Sequence, residues 1–163
     1  MKNKNTTNVL FYGIGGQGVL SASEVCARAA LHDGYHVKKS EVKGMAQRGG
    51  SVESYVRFGT CVWSPLPEER QVDILVCLYE SEYPRLKSEL KKGGVDLLGF
   101  LSRAHQAVGP KKIFLNTYML GVVSSFLQIK EGSWEKAIDD TFTRQQTENK
   151  EYFFQGRLEG SRR

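Results

Sequence analysis

Few cysteines and no long apolar run set the first limits on this chain of 163 residues. Its three cysteines, Cys26, Cys61 and Cys77, form no CxxC pair, so we expect neither an iron–sulfur cluster nor a zinc site made by this chain alone. Unpaired thiols suit a reducing compartment, and we therefore expect a cytoplasmic protein. No apolar run approaches the roughly 20 residues that cross a bilayer, and residues 1–8 are too polar for a signal peptide.

The overall composition is that of an ordinary globular protein, with 40% hydrophobic and 25% charged residues. The length predicts a single domain over residues 1–163. The net charge of +5 raises the question of nucleic acid, but no helix-turn-helix, zinc-finger or RNP-type pattern accompanies it. We expect no nucleic-acid partner, because a modest positive charge suits an anionic small molecule or an acidic protein equally well. The three histidines are scattered and indicate no catalytic pair.

A strand, a glycine-rich turn, a helix and a second strand open the chain. Asn8–Tyr12 is a nearly continuous apolar run, as expected for a strand buried on both faces. A helical pattern follows over Val19–Leu31, and Tyr35–Glu41 reads as the second strand. This order predicts the α/β class: a three-layer α/β/α fold, Rossmann-like, with a mixed and mostly parallel sheet.

Further elements are predicted from apolar periodicity. Residues Ser51–Phe58 alternate strongly between apolar and polar side chains, which is typical of a strand with one buried face. The region Val95–Pro110 is ambiguous between a broken strand and a short helix. The remaining predicted strands are Cys61–Trp63, Val72–Leu78 and Lys112–Leu115, and the remaining predicted helices are Glu80–Lys91, Tyr118–Leu127, Trp134–Phe142 and Asn149–Leu158.

The glycine turn that follows the first strand has two interpretations. Gly13, Gly15 and Gly18 have the spacing of a dinucleotide-binding fingerprint, in which the helix N-terminus receives a phosphate. The full fingerprint needs an acidic residue about 20 residues further on, and Glu41 lies later than that. The alternative is a tight turn that only packs the helix against the sheet.

The stretch from Lys43 to Ser51 is a second candidate site. It holds two cations, the amide of Gln47 and three glycines, a combination too glycine-rich for a helix interior and too polar for a buried strand. Lys43 and Arg48 can meet an anion, and the glycines let another molecule approach the backbone closely. The alternative is a solvated hairpin turn.

Together the two motifs resemble a known family. The run from Gly13 to Gly18, followed by the run from Lys39 to Ser51, resembles gamma-type subunits of 2-oxoacid:ferredoxin oxidoreductases, above all the beta subunit of indolepyruvate:ferredoxin oxidoreductase. Residues in the second half of the chain extend the similarity: Ser64-Pro65, Asn116, Met119-Leu120-Gly121, Trp134-Glu135, Ala137-Ile138 and Phe142. One departure is the short segment of sixteen residues, Val95–Pro110, which is longer in the family.

The resemblance implies an oxidoreductase. Such enzymes decarboxylate a 2-oxoacid on thiamine diphosphate, pass electrons through 4Fe-4S clusters to ferredoxin, and release an acyl-CoA. The part that this chain resembles carries neither the thiamine nor the clusters, so the resemblance implies an accessory subunit, inactive alone, that docks on a larger alpha subunit. Arylpyruvates such as indolepyruvate would be the substrates, CoA is a candidate co-substrate near the glycine loops, and the isolated chain is expected to form homodimers.

These considerations nominate binding residues and no catalytic or metal-ligating ones. The nominated residues are Gly13, Gly15, Gly16, Gln17, Gly18, Lys43, Gly44, Met45, Gln47, Arg48, Gly49 and Gly50. A second function stays open beside the first. In that alternative, the protein acts independently and binds a flavin or nicotinamide dinucleotide with the glycine turn.

Overall fold

The computed structural model of the chain describes residues 6–43 and 50–162. Within these residues there are five strands and six helices, with single 3-10 turns at Glu80–Glu82, Leu98–Phe100 and Lys112–Phe114. The strands are β1 Thr7–Ile14, β2 His36–Lys43, β3 Ser51–Gly59, β4 Val72–Cys77 and β5 Leu90–Asp96. The helices are α1 Val19–His32, α2 Tyr83–Lys87, α3 Leu101–Val108, α4 Leu115–Ser124, α5 Glu131–Thr141 and α6 Gln146–Ser161. None of these helices is both long and apolar enough to cross a membrane.

The strands form one sheet in the order β2-β3-β1-β4-β5. Strands β1, β4 and β5 pair in parallel, whereas β3 is antiparallel to both of its neighbours, β1 and β2. Four of the five strands therefore run in the same direction, and β3 runs against them. This arrangement confirms the predicted mixed, mostly parallel sheet of an α/β fold.

One face of the sheet, called the first face, carries Val9, Phe11, Val56 and Ile74. Their side chains belong to a large apolar cluster that also takes in residues of α1, α3, α4, α5 and α6. All ten residues of α4 are buried, since this helix contacts α1, α3, α6 and the sheet. The helix-rich side of the molecule thus has two layers of helices over the sheet.

The opposite face, called the second face, carries Leu10, Tyr12, Tyr55 and Leu75. Its apolar cluster is much smaller and includes the buried Leu86 of α2. Among the described residues, α2 and the 3-10 turn before it supply the helical cover here. Helices therefore lie on both sides of the sheet, as predicted, but very unequally.

Three predicted elements are wrong. The predicted helix Glu80–Lys91 is limited to a 3-10 turn and the five residues of α2, and Leu90–Asp96 forms β5. Pairing with β4 explains this difference, because Val72 lies beside Leu90 and Ile74 beside Val95. These contacts between distant segments impose a strand on a sequence with little strand propensity.

The other two errors concern short apolar runs. Lys112–Leu115 was predicted to be a strand, but a 3-10 turn covers Lys112–Phe114 and Leu115 begins α4. A short apolar run does not distinguish a buried strand from a buried helix by its periodicity. Cys61–Trp63 is not a strand; the backbone N–H of Val62 donates instead to Nδ1 of His36, at 2.8 Å.

Candidate functional site

The two glycine motifs meet at the carboxyl edge of the sheet. Strand β1 ends there in the glycine turn, and β2 and β3 pair as a hairpin whose connection is the second motif. In the β1–β3 register Ile14 lies beside Ser51, and the backbone N–H of Gly15 donates to the carbonyl of Gly50 at 3.0 Å. Residues 35 positions apart are thereby joined by a direct hydrogen bond.

The nominated residues differ in their environments. Gly13 is buried within β1, whereas Gly15 and Gly16 are exposed on the turn. Lys43 is the last residue of β2. Gly44, Met45, Gln47, Arg48 and Gly49 lie outside the described residues. The binding role proposed for all of these residues stays a prediction.

Both polar atoms of the Gln17 amide make hydrogen bonds within the protein. Its Oε1 accepts a hydrogen bond from the backbone N–H of Ile14 at 2.9 Å, and its Nε2 donates to the carbonyl of Leu78 at 3.2 Å. A Cβ atom on Gly13 would lie 2.7 Å from Gln17 Oε1, closer than real contacts allow. The absence of a side chain at Gly13 therefore makes room for a side chain of the same turn.

Asn116, which the resemblance singled out, supports the other end of the turn. It is buried in the first turn of α4 and donates from Nδ2 to the carbonyl of Gly18 at 3.1 Å. Gly18 has a φ of 76°, a conformation that favours glycine, and a Cβ there would overlap the Asn116 amide. Gly18 is also the N-cap of α1, so Asn116 links α4 directly to the start of that helix.

A cleft opens beside the turn. Helix α1 packs on the first face and α2 on the second, so the chain leaves the neighbouring strands β1 and β4 in opposite directions. Ligands of open α/β sheets bind in the crevice outside such a switch point. Here the crevice has a volume of about 950 Å³. Its lining includes Gln17, Tyr79, Ser81, Ser102, His105 and Lys112.

The cleft combines apolar and polar chemistry. Leu78 and Leu101 are buried beneath it, the ring of Tyr79 is 43% exposed, and Ser102 and His105 face it from α3. Such a mixture suits an organic ligand with an anionic group, which Lys112 can meet. Sequence reasoning missed this site. The signal was the spacing of Ser102, His105 and Gln106, which places three polar side chains on one face of a helix.

Two buried groups below the cleft have raised pKa values. Burial raises the pKa of the Tyr12 phenol, although its hydrogen bond with Ser81 Oγ, at 3.0 Å, works in the opposite direction. Burial also raises the pKa of the Cys77 thiol to about 11, and that thiol donates to the carbonyl of Tyr79. The raised pKa keeps this thiol protonated at neutral pH, and we expect Cys77 to act as a packing residue.

An ionic cluster covers the second face close to the same edge. Glu53 of β3 lies beside Tyr12 in the strand register and is 9% exposed. It pairs with Arg85 of α2, which also contacts Glu82 at 2.8 Å, and it accepts a hydrogen bond from the Tyr55 hydroxyl at 3.3 Å. The cluster ties α2 to β3, the strand that runs against the others.

The geometry counts against the dinucleotide interpretation of the glycine turn. Strand β3 separates β1 from β2, so Glu41 lies two strands from the turn, about 10 Å across the sheet. Glu41 also pairs with Lys39 at 2.8 Å. In addition, the N–H groups of Ile14 and Gly15 donate within the protein. These groups do not fit the ribose and phosphate contacts of a dinucleotide fingerprint.

The described residues do not fit an iron–sulfur cluster or another metal. Cys26 and Cys77 are buried and Cys61 is exposed, and all three are free thiols. Within residues 6–43 and 50–162, no three His, Cys, Asp or Glu side chains are grouped as metal ligands.

Comparison with known proteins decides the family. The family model described as pyruvate ferredoxin/flavodoxin oxidoreductase matches residues 8–101, more than half of the chain. The chain belongs to this family. The match includes β1, the glycine turn, the β2–β3 hairpin and the switch point, so the family pattern covers the carboxyl edge described above.

A curated relative is the indolepyruvate oxidoreductase subunit IorB of Thermococcus kodakarensis. This chain is 43% identical to it over 88 residues, which are 54% of this chain and 44% of the relative. The chain thus matches less than half the length of that member of the family.

Two solved structures share the fold. The gamma subunit of a keto/oxoacid ferredoxin oxidoreductase from Geobacter sulfurreducens has a TM-score of 0.73 at 24% identity, over 96% of this chain and 97% of that one. The 2-oxoglutarate:ferredoxin oxidoreductase from Magnetococcus marinus has a TM-score of 0.80 at 18% identity, over 97% of this chain and 31% of that one. The fold thus occurs both as a whole chain and as part of a longer one.

Proposed function

We propose that this chain is a small accessory subunit of a 2-oxoacid:ferredoxin oxidoreductase and forms a single domain of that enzyme. Its carboxyl edge, with the glycine turn and the β2–β3 connection, docks on a larger alpha subunit. The observation that carries this proposal is the hydrogen bond from Gly15 to Gly50, which joins the two motifs that resemble the family into one surface. A surface assembled from two loops of a rigid sheet is well suited to a fixed partner.

The proposed reaction of the whole complex is the oxidative decarboxylation of indolepyruvate or another arylpyruvate to an acyl-CoA, with ferredoxin as the electron acceptor. The name of the Thermococcus relative, at 43% identity, supports the choice of substrate. Thiamine diphosphate supplies the decarboxylation chemistry, and 4Fe-4S clusters carry the electrons. Both belong to the larger subunit. The three cysteines of this chain, two buried and one exposed, are not placed to hold a cluster, which supports this assignment. CoA is a candidate ligand of the carboxyl edge.

We propose that the protein is cytoplasmic and that the isolated chain is inactive. The isolated chain should also self-associate, because the surface that binds the permanent partner is left uncovered. Val42, next to the β2–β3 connection, is an apolar residue that is 49% exposed.

Co-purification tests the proposal directly. The chain is expressed in its native host with an affinity tag, and the proteins that accompany it are identified by mass. A thiamine-containing partner with iron–sulfur absorption, and 2-oxoacid oxidation by the purified complex, are expected. A yellow monomer that is stabilised by a dinucleotide alone would instead establish the independent nucleotide-binding function.

Substitution of Arg48 is the sharpest test of whether the β2–β3 connection docks on the larger subunit. A guanidinium in a glycine-rich stretch suits bidentate recognition of a carboxylate or phosphate, so we expect Arg48 to meet such a group of the partner, its cofactor or CoA. Arg48→Ala should weaken assembly or turnover by about 1.5–3 kcal/mol, the range for hydrogen bonds to charged groups. Arg48→Lys should recover part of the loss. The measurements are the dissociation constant of the reconstituted complex and its kcat/KM.

The matched control is Arg144→Ala, which removes an exposed cation between α5 and α6. It should assemble and turn over like the parent. If Arg48→Ala also behaved like the parent, the β2–β3 connection would be a solvated turn without a docking role.

A further inference from the structure

The glycine turn holds two kinds of glycine. At Gly13 and Gly18 an added Cβ would collide with Gln17 and with Asn116 respectively. At Gly16 an added Cβ would meet nothing within 4 Å, and both Gly15 and Gly16 are exposed. Two glycines of the motif therefore accommodate amide side chains of the protein itself, and two form the surface that faces outward.

The two amides connect the turn to separate parts of the fold. Gln17 bridges the end of β1, through the N–H of Ile14, to the residue that follows β4, through the carbonyl of Leu78. Asn116 bridges α4 to the N-cap of α1, through the carbonyl of Gly18. Two of these bonds join residues that are distant in sequence, by 61 residues for Gln17 and Leu78 and by 98 for Asn116 and Gly18.

We propose that Gln17 and Asn116 are positioning residues, whose hydrogen bonds fix the shape in which Gly15 and Gly16 are presented at the carboxyl edge. This inference rests on the proposed function in one respect, that the turn faces the larger alpha subunit. It gives Gln17 a supporting role inside the turn, because its Oε1 accepts from Ile14 and one N–H of its Nε2 donates to Leu78. The ligand-facing surface of the turn is then its exposed backbone at Gly15 and Gly16.

The support also reaches the second motif. Along the chain, Gly15 lies between Ile14, which is hydrogen-bonded to Gln17, and Gly18, which is hydrogen-bonded to Asn116. The N–H of Gly15 donates to the carbonyl of Gly50. Displacing the turn would therefore lengthen the bond that joins the two glycine motifs. Because a buried donor or acceptor that loses its partner is costly, the two amides are expected to act on the position of both motifs.

The first experiment uses the full chain alone and measures backbone hydrogen exchange. Gln17→Met keeps the length of the side chain and removes both hydrogen bonds, so the Ile14 amide should exchange about tenfold faster, the effect of losing one typical hydrogen bond. Gln17→Glu keeps an acceptor for the Ile14 N–H but sets a second oxygen against the Leu78 carbonyl, so it should restore only part of the protection at Ile14. Asn116→Ala should accelerate exchange at Gly15. Unchanged exchange in both Gln17→Met and Asn116→Ala would overturn the proposal.

The second experiment measures binding of the same variants to the larger subunit. Gln17→Met and Asn116→Ala should raise the dissociation constant about tenfold, and Gln17→Glu should raise it less. The control is Tyr35→Phe, which removes a hydrogen bond to the carbonyl of Gln128, near the start of β2 at the opposite edge. Tyr35→Phe should lower the thermal midpoint about as much as Gln17→Met and Asn116→Ala do. It should leave the dissociation constant within twofold of the parent value.

The two experiments separate the possible failures. Equal weakening by Tyr35→Phe and by the amide variants would reduce the amides to general stabilisers and overturn the positioning role. If the parent chain itself bound no larger subunit, the proposed function would fail. The exchange data would then decide alone whether Gln17 and Asn116 hold the turn.

Discussion

The two faces of one sheet are covered by different chemistry. On the first face, α4 is wholly buried, and α6 crosses it so closely that a Cβ on Gly121 or Gly156 would overlap the backbone of the other helix. On the second face, the cover is the five-residue α2, held to the sheet by the pair of Arg85 with Glu53. The first face depends on close apolar packing, and the second depends on a small ionic cluster.

This difference teaches where the molecule tolerates change. The stability of a closely packed face depends on side-chain volume, because backbone atoms of two helices in contact cannot move aside for an added group. An ionic cluster responds to charge and pH, and water weakens it wherever a side chain is exposed. Substitutions of size should therefore act mainly on the first face, and substitutions of charge on the second.

The largest effect is expected from Gly156→Ala. The added methyl would overlap the carbonyl oxygen of Tyr118 and approach the backbone N of Val122 at 3.2 Å, so α4 and α6 would have to separate. Overpacking of this kind should exceed the gain in helix propensity and lower the free energy of unfolding by about 2–3 kcal/mol. Chemical denaturation measures the change.

Gly132→Ala is the matched control. Gly132 lies in the first turn of α5, and a Cβ there would meet nothing within 4 Å. The substitution should leave stability unchanged or raise it by up to about 1 kcal/mol. Equal effects of the two substitutions would contradict the close approach of α4 and α6.

Arg85→Ala should have the next largest effect, because it leaves the carboxylate of Glu53 buried without its cation. The Arg85 side chain is 50% exposed, so solvent screens part of the interaction, and we expect a loss of about 1–2 kcal/mol in the free energy of unfolding. Urea denaturation at neutral pH provides the measurement.

The double variant Arg85→Ala, Glu53→Gln tests the cause. If the cost of Arg85→Ala comes from an uncompensated buried charge, removing that charge should recover part of the lost stability. A double variant less stable than Arg85→Ala would show that packing of the Arg85 side chain, not its charge, holds α2.

The smallest effect at neutral pH is expected from Tyr55→Phe, which removes the hydrogen bond to Glu53 and should cost no more than about 1.5 kcal/mol. Its signature lies at alkaline pH. Burial, helped by the nearby Glu53 carboxylate, raises the pKa of Tyr55 from 10.0 to about 12. A raised folded-state pKa gives stability that is complete below pH 10 and is lost as the pH rises towards 12.

The parent should therefore lose stability more steeply than Tyr55→Phe between about pH 10 and 12, as measured by urea denaturation across that range. Some slope should remain in the variant. Its sources include Tyr12, whose pKa is raised by burial, and Tyr83, whose pKa is raised to about 12, first by its hydrogen bond with Asp96 and then by burial. Parallel curves for parent and variant would exclude Tyr55 as an alkaline-sensitive group.

Much of the fold could be predicted from local patterns. The apolar run of β1, the apolar face of α1 and the alternation of β3 each describe their own element, and the observed bounds differ from the predicted ones by a few residues at most. Strand β5 could not be found this way. Its Lys91, Lys92 and paired glycines carry no strand signal, and the pairing with β4 that makes them a strand is a contact between distant segments.

The candidate site divides along the same line. The glycine spacing identified the turn, because a tight turn before a helix needs particular residues at fixed positions. The role of Gln17 could not be predicted, since its partner Leu78 lies 61 residues away. Ser102 and His105 gain a place in the cleft only when α3 packs beside the end of β4.

Strand β3 has a consequence for how the chain folds. It fills the space between the parallel strands β1 and β2, and it follows β2 through a short connection. The β2–β3 hairpin can therefore form early and add to β1 as a unit, because its pairing is local. Until it does, one edge of β1, which is buried except at its two ends, has unpaired backbone groups that another copy of the chain can bind. Refolding at high protein concentration should accordingly lose yield to intermolecular strand pairing.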